Sequence, residues 1–129
     1  VKIFINGTFD IIHMGHLAMI NYAKSLGGSV TVAIDSDARV KKLKGESRPI
    51  NNETERADLL INLKSIDEVY TFDTDEELVY LIKQHDIMVK GSDYKDKPII
   101  GSDLIKIQFF DRINEYSTTN KIQDIINRR

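Results

Sequence analysis

Two of the three histidines in this 129-residue chain, His13 and His16, stand three residues apart in "IIHMGH", just after a short apolar run and the turn-like Asn6-Gly7-Thr8. Imidazoles so placed could ligate a metal, sit as ordinary helix-end or surface residues, or donate to an anion. Zinc fits poorly. Metalloprotease helices space their histidines at i and i+4 with a Glu between, and here there is no cysteine or third nearby histidine to complete a first shell. An ordinary structural role fits the spacing as well as a functional one. The phosphate reading explains more. Gly15 lets backbone approach closely, and His16 falls at or just before a helix start, where free N–H groups and the helix dipole favour an anion. Imidazoles there can donate to phosphate oxygens that gain charge in a transition state.

The elements that must hold these residues alternate along the chain. "VKIFI" (1–5) and "SVTVAI" (29–34) read as strands, with a helix over 16–26 between them that Gly27-Gly28 stops. Residues 38–51 carry five basic residues, a Gly and a Pro, and read as an excursion with little core. A helix follows from Asn52, an N-cap with Glu55 completing a capping box, its apolar face Ala57, Leu60 and Ile61. Then come a strand at 68–72, a helix at 73–85 opened by acidic residues, strands at 87–91 and 105–110, and a closing helix at 118–128. This predicts an α/β fold: a single Rossmann-like three-layer domain over 1–129 with a five-stranded, mostly parallel sheet. In such sheets ligands sit beyond the carboxyl ends of the strands, at the switch in strand order. The segments leaving those ends, "NGTFDIIHMGH", "DSD…KKLKGESRP" and "KGSDY", gather glycines, histidines, lysines and hydroxyls.

Bulk composition excludes more than it identifies. A formal charge of −2 offers no basic footprint for nucleic acid, and zero cysteines exclude disulfides and thiolate metal sites. No transmembrane run or secretory signal is visible, so the chain reads as cytoplasmic and not membrane-bound. His85, near a helix end with no partner motif, reads as structural.

With "GTFD" before it, the His13-Met14-Gly15-His16 motif resembles the signature of the cytidylyltransferase-like nucleotidyltransferases, an α/β superfamily whose HxGH motif holds a nucleoside triphosphate. Near the other end, "RINEYSTTNKI" resembles the RTEGISTT block of glycerol-3-phosphate cytidylyltransferases. Arg112 and Ser117-Thr118-Thr119 match at the right spacing, and residues 113–116 depart. Ser117 and Thr118 would also cap the last helix and make its N-terminus an anion site. "SDARVKKLKGESRPIN" (36–51) and "VKGSDYKDKPIIGSD" (89–103) are similar instead to the adenylyltransferase domain that activates D-glycero-β-D-manno-heptose 1-phosphate. That branch usually carries the domain fused to a kinase. The stretch between "IIGSD" and "IKIQFF" is shorter here than its usual helix.

The resemblance implies a nucleotidyltransferase that joins an NMP from ATP or CTP to a sugar or polyol phosphate, releasing pyrophosphate. It favours adenylyl transfer to a heptose 1-phosphate, with CTP:glycerol-3-phosphate cytidylyl transfer as the alternative and a non-catalytic nucleotide sensor as a third reading. It implies that His13, His16, Lys44 and Arg112 serve catalysis. Gly7, Thr8, Phe9, Asp10, Gly15, Lys90, Gly91, Asp93, Tyr94, Ser117, Thr118 and Thr119 would bind the nucleotide, and Lys42 and Arg56 the acceptor. Mg²⁺ is expected with the triphosphate. No protein ligand is assigned to it, Asp10 being the nearest candidate. Homodimers are usual in the family and are expected here.

Overall fold

The computed structural model describes residues 1–111 and 118–128, with side chains from residue 122 onward in the last helix. Five strands, β1 (Lys2–Gly7), β2 (Ser29–Asp35), β3 (Glu68–Phe72), β4 (Ile87–Gly91) and β5 (Lys106–Phe110), form one sheet in the order β3-β2-β1-β4-β5. Every pairing is parallel, so the sheet is wholly rather than mostly parallel. The helices are α1 (Met14–Ser25), α2 (Asp37–Lys44), α3 (Glu53–Ile61), α4 (Asp75–Ile82) and α5 (Thr118–Asn127).

The central strands are apolar on both faces, as a sheet covered on both sides requires. In β1, Ile3 and Ile5 enter the core that Ile20 and Ala23 of α1 and Leu60 of α3 complete, while Phe4 points the other way, into the core built with Leu78 and Ile82 of α4. Strand β2 alternates likewise, Val30, Val32 and Ile34 on the first face and Ala33 on the second. The period of two therefore sorts one strand between two cores. Strand β3, at the edge, buries only Phe72 fully.

Helix α2 corrects the sequence reading, which took 38–51 as an excursion. Ser36 accepts from the Arg39 amide as N-cap, Asp37 opens the first turn, and Lys41, Lys42 and Lys44 occupy the last, where the dipole favours cations. Val40 is its one buried residue, so a search for an apolar stripe passes over it. Two helix starts also move. Helix α1 begins at Met14, two residues before the expected His16, and α4 begins after Thr74, whose hydroxyl accepts from the Glu77 amide. Asn52 caps α3 as expected, accepting from the amide of Glu55.

From the central β1 the chain runs outward through β2 to β3 at the edge, and it then returns to lay β4 on the other side of β1. The switch point therefore falls between the carboxyl ends of β1 and β4, where Gly7 and Gly91 lead into loops.

Candidate active site

A cavity of about 390 Å³ opens at that switch point. Of the residues expected from sequence, Gly7, Thr8, Phe9, Asp10, Gly15, His16, Lys44, Lys90, Gly91 and Tyr94 line it. Sequence reasoning did not single out Asn6, Met19, Asp35, Leu43, Arg48, Val89 and Phe110, which line it too. Phe110 is held there by an edge-on contact with Tyr22 of α1, ring centres 5.2 Å apart.

The loop from β1 to α1 shapes one wall. Phe9 and Ile11 adopt left-handed backbone with φ of 53° and 48°, a conformation that costs a non-glycine residue about 1–3 kcal/mol and is kept where surroundings over-determine it. The buried Phe9 ring packs on His16, centroids 5.0 Å apart. A Cβ on Gly7 would lie 3.2 Å from that ring, so a larger residue at the strand end would require the folded-back ring to shift by a few tenths of an ångström.

The histidines hold each other. His13 is the N-cap of α1, not a residue of the preceding loop. Its Nδ1 accepts from the Gly15 amide at 3.1 Å, while Nδ1 of His16 accepts from the His13 amide at 3.2 Å. The rings stack with centroids 3.9 Å apart. Because each Nδ1 is an acceptor, the proton of each neutral ring sits on Nε2. Two of the helix's first amides are thus engaged within the cap. The donor that this wall offers an anion is the Nε2–H of His16, which lines the cavity, rather than the bare helix terminus; His13 lies outside the lining, with its Nε2 buried.

Asp10 is 1% exposed and its carboxylate accepts from the amides of Ile50 and Asn51 at 2.8 and 2.9 Å, with Arg48 Nε at 3.6 Å. It therefore pins the segment between α2 and α3 to the histidine loop. Both oxygens being engaged in this way, the residue nearest to a metal ligand by sequence is committed to backbone. Among the described residues no group of three or more His, Asp or Glu side chains could cage a metal ion.

Arg56 corrects another expectation. Expected to meet the acceptor, it is fully buried, outside the cavity lining. Nε donates to the Asn51 carbonyl, Nη1 to the carbonyls of Thr8 and Asp35, and Nη2 to the Asp37 carboxylate, at 2.7–2.9 Å. The guanidinium ties the ends of β1 and β2 to the starts of α2 and α3. A lone cation this deep is tolerated because its hydrogen-bonding sites and its charge both find partners.

On the third wall, Lys90 lies 4.7 Å from the centre of the Tyr94 ring. Desolvation by burial pushes its pKa below the ordinary lysine value, against the opposing pull of the Asp35 and Asp93 carboxylates. Asp35 is itself bound by Thr8 Oγ1 at 3.1 Å and Arg39 Nε at 2.9 Å. Asp93 is exposed and outside the lining, as is Lys42, whereas Lys44 at the end of α2 reaches it. Arg112 and Ser117 fall outside the described residues, as do the side chains of Thr118 and Thr119. His85 is remote from the cavity. It packs on Phe4 at 4.9 Å between ring centres, with Nδ1 2.7 Å from the Leu81 carbonyl.

A family model described as cytidylyltransferase-like matches residues 4–126. A "Bifunctional protein HldE" of Campylobacter jejuni subsp. doylei is 45% identical over 130 residues, covering 98% of this chain and 28% of the relative. Another, from Nitratiruptor sp., is 47% identical over 120 residues, covering 91% and 26% respectively. The chain thus spans less than a third of the length of these curated relatives. Among solved structures, the lipopolysaccharide core biosynthesis protein from Thermoplasma volcanium aligns with a TM-score of 0.72 at 25% identity, over 87% of this chain and 97% of that one.

Proposed function

This chain belongs to the cytidylyltransferase-like family, and from that premise we propose that it is a nucleotidyltransferase that transfers AMP from ATP to a heptose 1-phosphate, giving an ADP-linked sugar and pyrophosphate. The observation that carries the reading is the cavity at the β1–β4 switch point, where His16, Lys44 and Lys90 converge on a space fit for a triphosphate. The segments at 36–51 and 89–103, similar to the heptose-activating branch, supply walls of that cavity. Similarity to the HldE proteins over nearly the whole chain supports the same branch.

In this reaction an oxygen of the acceptor phosphate attacks the α-phosphorus in line. A new P–O bond forms there as the bond to the bridging α–β oxygen breaks, and pyrophosphate departs with its electron pair. The nucleophile is already anionic at neutral pH, so no general base is required. Catalysis then consists of positioning and of stabilising charge as it moves onto the leaving group. Nε2–H of His16, with His13 stacked behind it, is suited to donate to oxygens of the α- and β-phosphates. Lys44 and Lys90 supply positive charge from the other walls. Arg112 and the Ser117-Thr118 helix start are assigned to the leaving pyrophosphate by resemblance alone.

Mg²⁺ belongs to the proposal as the nucleotide's own companion. The commitment of Asp10 to backbone amides fits an ion held mainly by phosphate oxygens and water, which is how Mg²⁺ commonly binds. The ion would neutralise triphosphate charge. No helix among the described residues is long and apolar enough to cross a membrane. A cytoplasmic, homodimeric enzyme completes the reading, by likeness to the family.

The test is pyrophosphate release with ATP or CTP against heptose 1-phosphate and glycerol 3-phosphate. Turnover with ATP and the heptose phosphate is expected. Turnover with CTP and glycerol phosphate alone would transfer the chain to the other branch, and nucleotide binding without any release would make it a sensor.

A further inference from the structure

Two arginines, Arg48 in the segment between α2 and α3 and Arg56 in the first turns of α3, are treated oppositely. Arg56 has hydrogen bonds from Nε, Nη1 and Nη2, all to protein oxygens. Arg48 lines the cavity with its side chain 16% exposed, and its buried Nε makes no hydrogen bond. Asp10 stands 3.6 Å from that Nε, an ion pair longer than a hydrogen bond, with its carboxylate turned to the amides of Ile50 and Asn51. A carboxylate so engaged steadies a guanidinium without satisfying it. An N–H left buried without an acceptor is costly, and the neighbouring open space is the one with Lys44, Lys90 and His16 around it.

We propose that Arg48 is a phosphate-binding residue of this cavity, its planar fork engaging oxygens of a substrate phosphate that Asp10 holds it ready to meet. This rests on the nucleotidyl-transfer reading. That reaction brings two kinds of phosphate into the cavity, the triphosphate of the nucleotide and the phosphate of the acceptor, and the fork suits either. A role confined to pairing with Asp10 would be served equally by a lysine, since an ammonium keeps the charge. A forked contact with phosphate would not.

The experiment is calorimetric titration of the full chain and of its Arg48→Ala and Arg48→Lys variants. ATP with Mg²⁺ is one ligand, and heptose 1-phosphate in the presence of a non-hydrolysable ATP analogue is the other. Thermal melts are recorded in parallel. Arg48→Ala is expected to weaken one ligand by about 10- to 100-fold, the value of a hydrogen bond to a charged group, with Arg48→Lys recovering only part. Loss confined to ATP identifies the triphosphate as the partner, and loss confined to the sugar phosphate identifies the acceptor. Unchanged affinity for both ligands in Arg48→Ala overturns the inference while leaving nucleotidyl transfer standing. Full recovery in Arg48→Lys, tracking recovery of the melting temperature, overturns it in favour of a structural ion pair. A wild-type chain that binds neither ligand overturns the nucleotidyl-transfer reading and this inference together.

Discussion

The start of α1 and the end of α4 both place histidine against helical backbone, yet the imidazoles meet opposite partners. At the start of α1 the backbone offers unpaired amides, so Nδ1 of His13 and of His16 accepts and the ring proton is sent to Nε2. At the end of α4 the backbone offers carbonyls, so Nδ1 of His85 donates to Leu81. Helix polarity thus selects the tautomer. The first arrangement projects a donor away from the backbone, and the second turns its donor inward and leaves the ring to pack on Phe4. Sequence position relative to a helix therefore separates a histidine equipped to hold an anion from one that closes a core.

The strongest challenge to this contrast is His16→Ala. Turnover should fall by about 10²–10³, the usual effect of removing one donor from developing negative charge, while stability falls by only about 1 kcal/mol through loss of the reciprocal cap. His85→Ala should show the reverse pattern, reduced stability with kcat retained. Pyrophosphate-release kinetics beside thermal melts decide it, and equal kinetic losses in the two variants would erase the distinction.

A pH series on nucleotide affinity extends the contrast to the Lys90 wall. Burial holds the Lys90 pKa below its unfolded value, so the ammonium that attracts phosphate is present below the folded pKa and is lost as pH rises through it. Affinity for ATP should therefore decline in a window that begins below the ordinary lysine value of 10.5, by roughly tenfold, about the value of a charged hydrogen bond. Stability has the opposite sign. Keeping a buried ammonium costs the fold below that pKa, and the cost is relieved as pH rises toward the unfolded value. Lys90→Met should flatten the affinity profile.

Substituting His13 separates cap from donor. His13→Asn retains a good capping side chain, whereas His13→Ala should lose about 1 kcal/mol of stability. Both lose the ring stacked on His16, so both should be slower than wild type by comparable factors while their melts differ. The smallest effect is spectroscopic. Side-chain ¹⁵N shifts at neutral pH should report Nε2–H for His13 and His16 and Nδ1–H for His85. An Nδ1–H signal from either of the first two would contradict the capping geometry.

Strands β3 and β4 are legible because each is built on a short apolar or β-branched run, over 69–72 and 87–89, with polar turn residues close behind. Helix α2 is not, since a single buried side chain, Val40, gives no periodicity to detect. Within the site, the glycines, His16, Lys44 and Lys90 could be placed by type and by their position at strand ends. The arginines could not. Charge alone suggests a ligand role for Arg56, yet it lies four residues before Leu60, on the buried face of α3, and that spacing carries its inward orientation. Arg48 sits in a loop whose sequence gives no periodicity to orient it. Asp35, the last residue of β2, was missed because its place beside Thr8 and near Lys90 depends on strands brought together by the fold.

The left-handed backbone at Ile11 has a consequence for anyone seeking a hardier version of this molecule. A β-branched, partly buried residue at a φ of 48° is an obvious target for relief. Ile11→Gly should raise heat tolerance if the torsional relief exceeds the extra freedom given to the unfolded chain. The loop it would relax is the one that aims the stacked imidazoles. Durability gained there would come out of turnover, and the bend between Gly7 and His13 is where the two properties compete.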